Sequence, residues 1–328
     1  MDAMQSAPAR LGLESHSSPQ AAGFAAADIA RIEELVAGQA SDCVMILRAG
    51  RIVWQRGNTT HRYMCHSIRK SLLSALIGIA VGDGEIDLGA TLERLDIDDH
   101  LRLSHVERQA TVFDLLTARS GIFHPAGYES AWMKMIKEPR HSHPPGTFWL
   151  YNNWDFNALG TIYEQVTGRA IHQDFTDRIA TPLGMEDWRP SDGEYVEAPE
   201  SRHRAYPFRL SARDLARFGL LWLNLGRWQD AQVVPHDWVR CSVMPWSVGG
   251  ASGAYGYMWW VCRDGVHYPN AILPADAYSA RGVGGHVLLV VPSLDLVVVH
   301  RVDTDQRGRE VGALALGRLF QAICRAAG

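Results

Sequence analysis

Cys65-His66-Ser67-Ile68-Arg69-Lys70-Ser71-Leu72-Leu73-Ser74-Ala75-Leu76-Ile77-Gly78-Ile79-Ala80-Val81-Gly82 is apolar on nearly every face beyond Lys70, which predicts a helix buried in the middle of a domain. The run is too short to cross a bilayer. If the helix begins at Ser67, positions i and i+3 share one face, and the Lys70 side chain reaches back to the Ser67 hydroxyl. Ser67 then sits in the first turn, where unsatisfied N–H groups and the positive end of the helix dipole favour negative charge, so an oxyanion can form there. A serine needs a base to become a nucleophile, and a lysine serves only when neutral; burial beside Leu and Ile side chains pushes its pKa in that direction. The same residues also fit an ordinary helix with a serine cap and a solvated lysine.

Composition narrows the classes. The chain has 328 residues, 47% of them hydrophobic, enough to fill a large core. Net charge is −4 with both signs interspersed, and no stretch concentrates Arg or Lys among aromatics, which argues against a nucleic-acid surface. Five scattered cysteines without C-x-x-C spacing indicate neither a disulfide framework nor a zinc site and suit reduced thiols in a cytoplasm. Residues 1–23 lack the basic and apolar regions of a signal peptide and are expected to form a loosely ordered tail, with no membrane association. His141-Ser142-His143 is the best local metal candidate, but no Glu-x-x-His or Asp cluster accompanies it, so no metal or organic cofactor is expected.

Along the chain, Ala25 to Val36 has helical spacing, and the runs Cys43 to Leu47 and Ile52 to Trp54 form a β-hairpin around Ala49-Gly50. Ala110 to Ala118 predicts a helix that Ser120-Gly121 ends, and helices and long loops dominate to about residue 245. Tyr255 to Cys262, Ala277 to Gly282, His286 to Val291 and Leu294 to Val302 read as an antiparallel meander, closed by an amphipathic helix over Glu310 to Ala326. The predicted fold is α/β (α+β): one antiparallel sheet flanked by terminal helices, with a large all-helical insertion. It comprises a single domain over 24–328, its sheet part at about 24–66 and 246–328 and its helical part at about 67–245.

A second motif, Pro145-Gly146-Thr147-Phe148-Trp149-Leu150-Tyr151-Asn152-Asn153-Trp154, leads into Leu159-Gly160-Thr161-Ile162-Tyr163-Glu164-Gln165-Val166-Thr167-Gly168. Together with Ser67-x-x-Lys70 it resembles the serine β-lactamase-like hydrolases, in the class C, carboxylesterase and nylon-oligomer hydrolase branch, where Tyr-x-Asn replaces Ser-Asp-Asn. Thr111 to Leu116, Pro182-Leu183-Gly184-Met185 and Ser211 to Gly219 agree, so the resemblance runs from about residue 25 to the C-terminus. It implies the fold deduced above and catalytic roles for Ser67, Lys70 and Tyr151. The Tyr151 phenol would stand beside Ser67 and Lys70 and pass the serine proton to the leaving group, either as base itself or with Lys70 as base. Asn153 would orient the substrate or the Lys70 head.

The family's third motif, Lys-Thr-Gly or His-x-Gly, is where the chain departs. Alignment on Gly282-Val283-Gly284-Gly285-His286 places Ala280-Arg281-Gly282 at those positions, and the Val283 backbone N–H would complete an oxyanion hole with that of Ser67. Strand alternation turns Arg281 to the face opposite residue 280, where a surface arginine is expected. His286 is a candidate substrate contact. Trp149, Trp154 and Trp132 are candidates to line the cleft. Because the family's Lys and Thr help hold a β-lactam carboxylate, their loss favours a serine hydrolase acting on a small ester or amide through an acyl-enzyme. The alternatives are a β-lactamase or D-Ala-D-Ala peptidase, and a non-catalytic binding or assembly module on the same fold. The expected partner is a small-molecule substrate; oligomeric state stays open.

Overall fold

A computed structural model describes residues 12–328. Its framework is an eight-stranded sheet built from β1 (Cys43–Arg48), β2 (Arg51–Gly57), β3 (Ser247–Val248), β4 (Ala254–Tyr255), β5 (Trp260–Val261), β6 (Tyr278–Gly282), β7 (His286–Val291) and β8 (Leu296–Arg301), in the order β2-β1-β8-β7-β6-β5-β4-β3. Every pairing is antiparallel. The central strands are apolar at consecutive positions because both faces are covered. Val44, Ile46, Leu289 and Val298 join a cluster with helices α1 (Ala26–Ala37) and, at the chain end, Ala313–Ala327. Met45, Leu288, Val297 and Val299 join a larger cluster on the other face, which contains α2 (Ile68–Gly82), α3 (Asn153–Thr167) and α4 (Ala212–Leu223). The C-terminal helix is α5.

The predicted helix after Ser67 is α2, buried along almost its whole length. Both terminal helices, the hairpin and the last three strands lie within a few residues of their predicted places. The helix predicted over 110–118 is shorter, Val112–Leu116, and is closed at its start by a reciprocal capping box between Thr111 and Asp114.

Three expectations need correction. Residues 12–23 are not a loose tail: Ile52 and Glu14 share a backbone hydrogen bond of 2.8 Å, His16 returns one of 2.9 Å to Ile52, and Gln20–Ala22 forms a short helical turn. Residues 1–11 of the predicted tail lie outside the described part. The middle of the chain is not purely helical, since Tyr63–Met64 pairs with Arg209–Leu210, and Val196–Ala198 pairs with Ser201–Ala205. Helix α4, placed by sequence in the helical part, packs directly on β8, β7 and β1. Among the described residues no helix is long and apolar enough to cross a membrane.

Candidate active site

The chain reaches the site from the core. Cys65 is buried, His66 adopts φ +47°, and the Ile68 N–H closes the turn on the Cys65 carbonyl at 3.0 Å. That left-handed residue redirects the backbone so that Ser67 caps α2 with its side chain free of the cap. One turn on, Lys70 Nζ and Ser67 Oγ share a 2.8 Å hydrogen bond. Lys70 is 1% exposed, and its nitrogen lies 4.7 Å from the Tyr151 ring centre and 4.9 Å from that of Phe156. Burial, and secondarily the Arg69 charge, holds its pKa well below the ordinary lysine value.

Tyr151 arrives from the opposite side, on the segment that leads into α3. Asn152 caps that helix by accepting from the Trp154 N–H at 2.8 Å, which fixes the start of α3 and hence the phenol just before it. Burial pushes the Tyr151 phenol up to about 12, with the Ser67 hydroxyl and the Arg69 charge opposing the shift. At neutral pH this group is a proton donor, and a neutral Lys70 amine is the stronger candidate base.

Ser67, Tyr151, Asn153 and Val283 line one cavity of about 570 Å³. Asn153 does not bond Lys70: its amide nitrogen donates to the Tyr128 carbonyl at 2.6 Å, and its buried oxygen has no partner. It therefore fixes the Tyr128 loop at the cavity wall. Val283 is exposed and lines the same cavity as Ser67. His286 is not at the cavity surface: it is fully buried, 3.2 Å from the Thr304 hydroxyl, because its strand turns inward directly after the glycine turn. It therefore cannot touch substrate there. Trp149 and Trp132 line the cavity, whereas Trp154 is buried and donates to Asp99 at 2.7 Å.

Arg281 departs most from expectation. It does face away from Ala280, but that face is not surface: the hairpin Val266–Tyr268/Ala271–Ile272 covers it. The guanidinium lies 4.1 Å from the Tyr268 ring centre and 5.0 Å from that of Trp260, donates from Nε to Ser279 at 2.8 Å and from Nη2 to the His267 carbonyl at 2.7 Å, and lines the cavity. None of these partners is a carboxylate. Sequence reading also passed over Arg69, fully buried between Ser67 and Lys70, which donates to Asn157 at 2.8 Å and stacks 4.2 Å over Tyr206. Its position inside the Ser-x-x-Lys motif was the available signal. Among the described residues no cluster of three or more His, Cys, Asp or Glu could hold a metal ion.

The sequence pattern of the family described as Beta-lactamase matches residues 29–321. A suspected 6-aminohexanoate-dimer hydrolase from Bacillus anthracis is 20% identical, with 89% of this chain and 81% of that one covered and a TM-score of 0.67. A beta-lactamase from Mycobacterium bovis is 18% identical over 90% of this chain and 99% of its own, at 0.63. A penicillin-binding protein from Bacillus halodurans is 15% identical over 89% and 99%, at 0.66. At these identities the structures share the fold.

Proposed function

The chain belongs to the beta-lactamase family, and from that premise we propose that it is a serine hydrolase that cleaves a small ester or amide through an acyl-enzyme on Ser67. The family fold is consistent with serine hydrolase activity. The observation that carries the proposal is the 2.8 Å contact between Ser67 and a buried Lys70 whose pKa is depressed, at the wall of an open cavity. In this mechanism neutral Lys70 takes the Ser67 proton as Oγ bonds to the substrate carbonyl carbon. The backbone N–H groups of Ser67 and Val283 hold the resulting oxyanion. As the tetrahedral intermediate collapses, the proton passes from Lys70 through the Tyr151 hydroxyl to the departing alkoxide or amine. Water then repeats the sequence on the acyl-enzyme, restoring Ser67 and releasing the acid.

A second reading, hydrolysis of a β-lactam or a D-Ala-D-Ala peptide, draws support from Arg281. Those substrates bear a carboxylate, as does a 6-aminohexanoate dimer, and a half-buried guanidinium without an acidic partner is suited to accept one. The experiment is turnover of short p-nitrophenyl esters and of nitrocefin by wild type and Ser67→Ala. Loss of several orders of magnitude in kcat in the variant supports the assignment, and ester hydrolysis that survives the substitution refutes it. Nitrocefin turnover would select the second reading.

A further inference from the structure

We propose that the Thr304 hydroxyl is a positioning group that ties together the two backbone segments supplying the oxyanion donors, one ending in Ser67 and the other containing Val283. The inference rests on the nucleophile reading above. His66, directly before Ser67, shares a 2.8 Å hydrogen bond between Nε2 and Thr304 Oγ1. His286, three residues after Val283 on β7, shares one of 3.2 Å with the same oxygen. The two imidazole centres lie 5.1 Å apart, so one hydroxyl bridges both segments.

Thr304 is itself held from both sides. The Asp303 N–H donates to Asp42 at 2.7 Å, Arg309 clamps the same carboxylate at 2.7 Å, and Arg209 pairs with Asp305 at 2.7 Å. Its methyl presses into the turn: a Cβ on Gly284, whose φ is +86°, would lie 2.4 Å from Thr304 Cγ2. Thr304 therefore touches the oxyanion turn with its methyl and the segment before the nucleophile with its hydroxyl.

The hydrogen bond from His286 has a direction. Thr304 has one proton to give and two lone pairs to receive, so at most one imidazole accepts from it and at least one donates to it. His286 Nδ1 is buried without a partner. A bare nitrogen there is tolerated better than an unpaired N–H, which places the His286 proton on Nε2, pointing at Thr304. His66 completes the tie in either tautomer, accepting from Thr304 when its proton is on Nδ1 and donating to the second lone pair when it is on Nε2. Both rings are neutral near pH 7, since burial lowers His66 to about 4 and lowers His286 as well. The bond has a task at His66 because φ +47° is a sparsely populated conformation for a residue with a side chain, and it persists only where surrounding contacts enforce it. Relaxation at His66 would move the Ser67 N–H and Oγ relative to Val283.

Thr304→Val keeps the branched shape and removes the hydroxyl; Thr304→Ser keeps the hydroxyl. For Thr304→Val, kcat should fall about tenfold to a hundredfold with KM within about twofold, because displaced donors act on the transition state rather than on ground-state binding. Affinity for a boronic-acid transition-state analogue should fall by the same factor as kcat/KM, and Thr304→Ser should recover most of both. A valine variant within about twofold of wild type in kcat, or equal losses in valine and serine, would overturn the proposal. The imidazole ¹⁵N spectrum of the wild-type protein tests the tie without any variant: His286 should be protonated on Nε2, and both rings protonated on Nδ1, which would leave one of the two bonds unmade, sinks it. Failure of the nucleophile reading would show separately, as wild-type protein that no fluorophosphonate labels at Ser67.

Discussion

Tyr151 and Lys70 both stand beside Ser67, and their environments assign them different tasks. With the phenol at about 12, only about one molecule in 10⁵ carries a phenolate at pH 7, a handicap of about 7 kcal/mol for tyrosine as the resting base. Lys70 is shifted the opposite way, toward neutrality, by burial and by Arg69. The acylation rate should therefore rise with pH through one inflexion well below the ordinary lysine value, because protonated Lys70 cannot accept the serine proton. In Tyr151→Phe the plateau should drop by about 10²–10⁴, the usual size of a proton-transfer contribution, while the inflexion stays where it is. In Lys70→Met the inflexion should vanish. The assay is the pre-steady-state burst of p-nitrophenol from a short ester, followed across pH at an isosbestic wavelength. An inflexion that moves or disappears in Tyr151→Phe and survives in Lys70→Met would refute the division of labour.

Arg281→Met should reduce kcat/KM for a carboxylate-bearing ester such as mono-p-nitrophenyl glutarate by about tenfold to a hundredfold, and leave neutral p-nitrophenyl butyrate nearly unchanged; equal effects on both would remove the carboxylate reading. Gly282→Ala would place a Cβ 2.5 Å from the Cys65 carbonyl oxygen, pushing β6 away from the segment that carries Ser67. Stability should fall by about 1–3 kcal/mol in urea titrations, and activity should fall with it. Asp155 is a buried carboxyl raised from 3.8 to about 8 by burial, against the opposing Ser120 hydrogen bond. Between about pH 4 and 8 the unfolded chain has released this proton and the folded chain retains it, so the group lowers stability as pH rises, by about 1.4 kcal/mol per unit. Asp155→Asn should flatten that slope and stabilise the protein at pH 7, with a ceiling of about 4 kcal/mol; denaturant titrations at pH 5 and 7 that show no change in slope would contradict the assignment.

The elements legible in the sequence were those whose own residues carry the pattern. Helix α2 is apolar on nearly every face beyond Lys70, and β7 and β8 are mostly Val and Leu, so burial on all sides was written locally. The single strand predicted over Tyr255 to Cys262 is in fact two short ones, β4 and β5, because two-residue strands like these and β3 are too short for periodicity to fix their bounds. The ordered stretch 12–23 depends on pairing with Ile52, a partner distant in sequence, and its own composition carries no trace of it. At the site, Ser67, Lys70 and Tyr151 come together as their motifs implied, while Arg281 was misplaced for a specific reason. Alternation gave its face correctly, but not the hairpin at 266–272 that turns that face into a cavity wall. His286 failed similarly, since a residue beside a glycine turn can point to substrate or into the protein, and only the position of Thr304 shows which. Arg69 carried a signal, an arginine within a buried motif, whose meaning depends on the absence of a carboxylate among its contacts.

The most direct test of the central claim is intact-protein mass spectrometry of wild type and Ser67→Ala after parallel exposure to a fluorophosphonate. A single adduct on the wild-type chain, mapped to Ser67 and missing from the variant, is the predicted result. Folded wild type that stays unmodified, or an adduct of equal yield on Ser67→Ala, would contradict it.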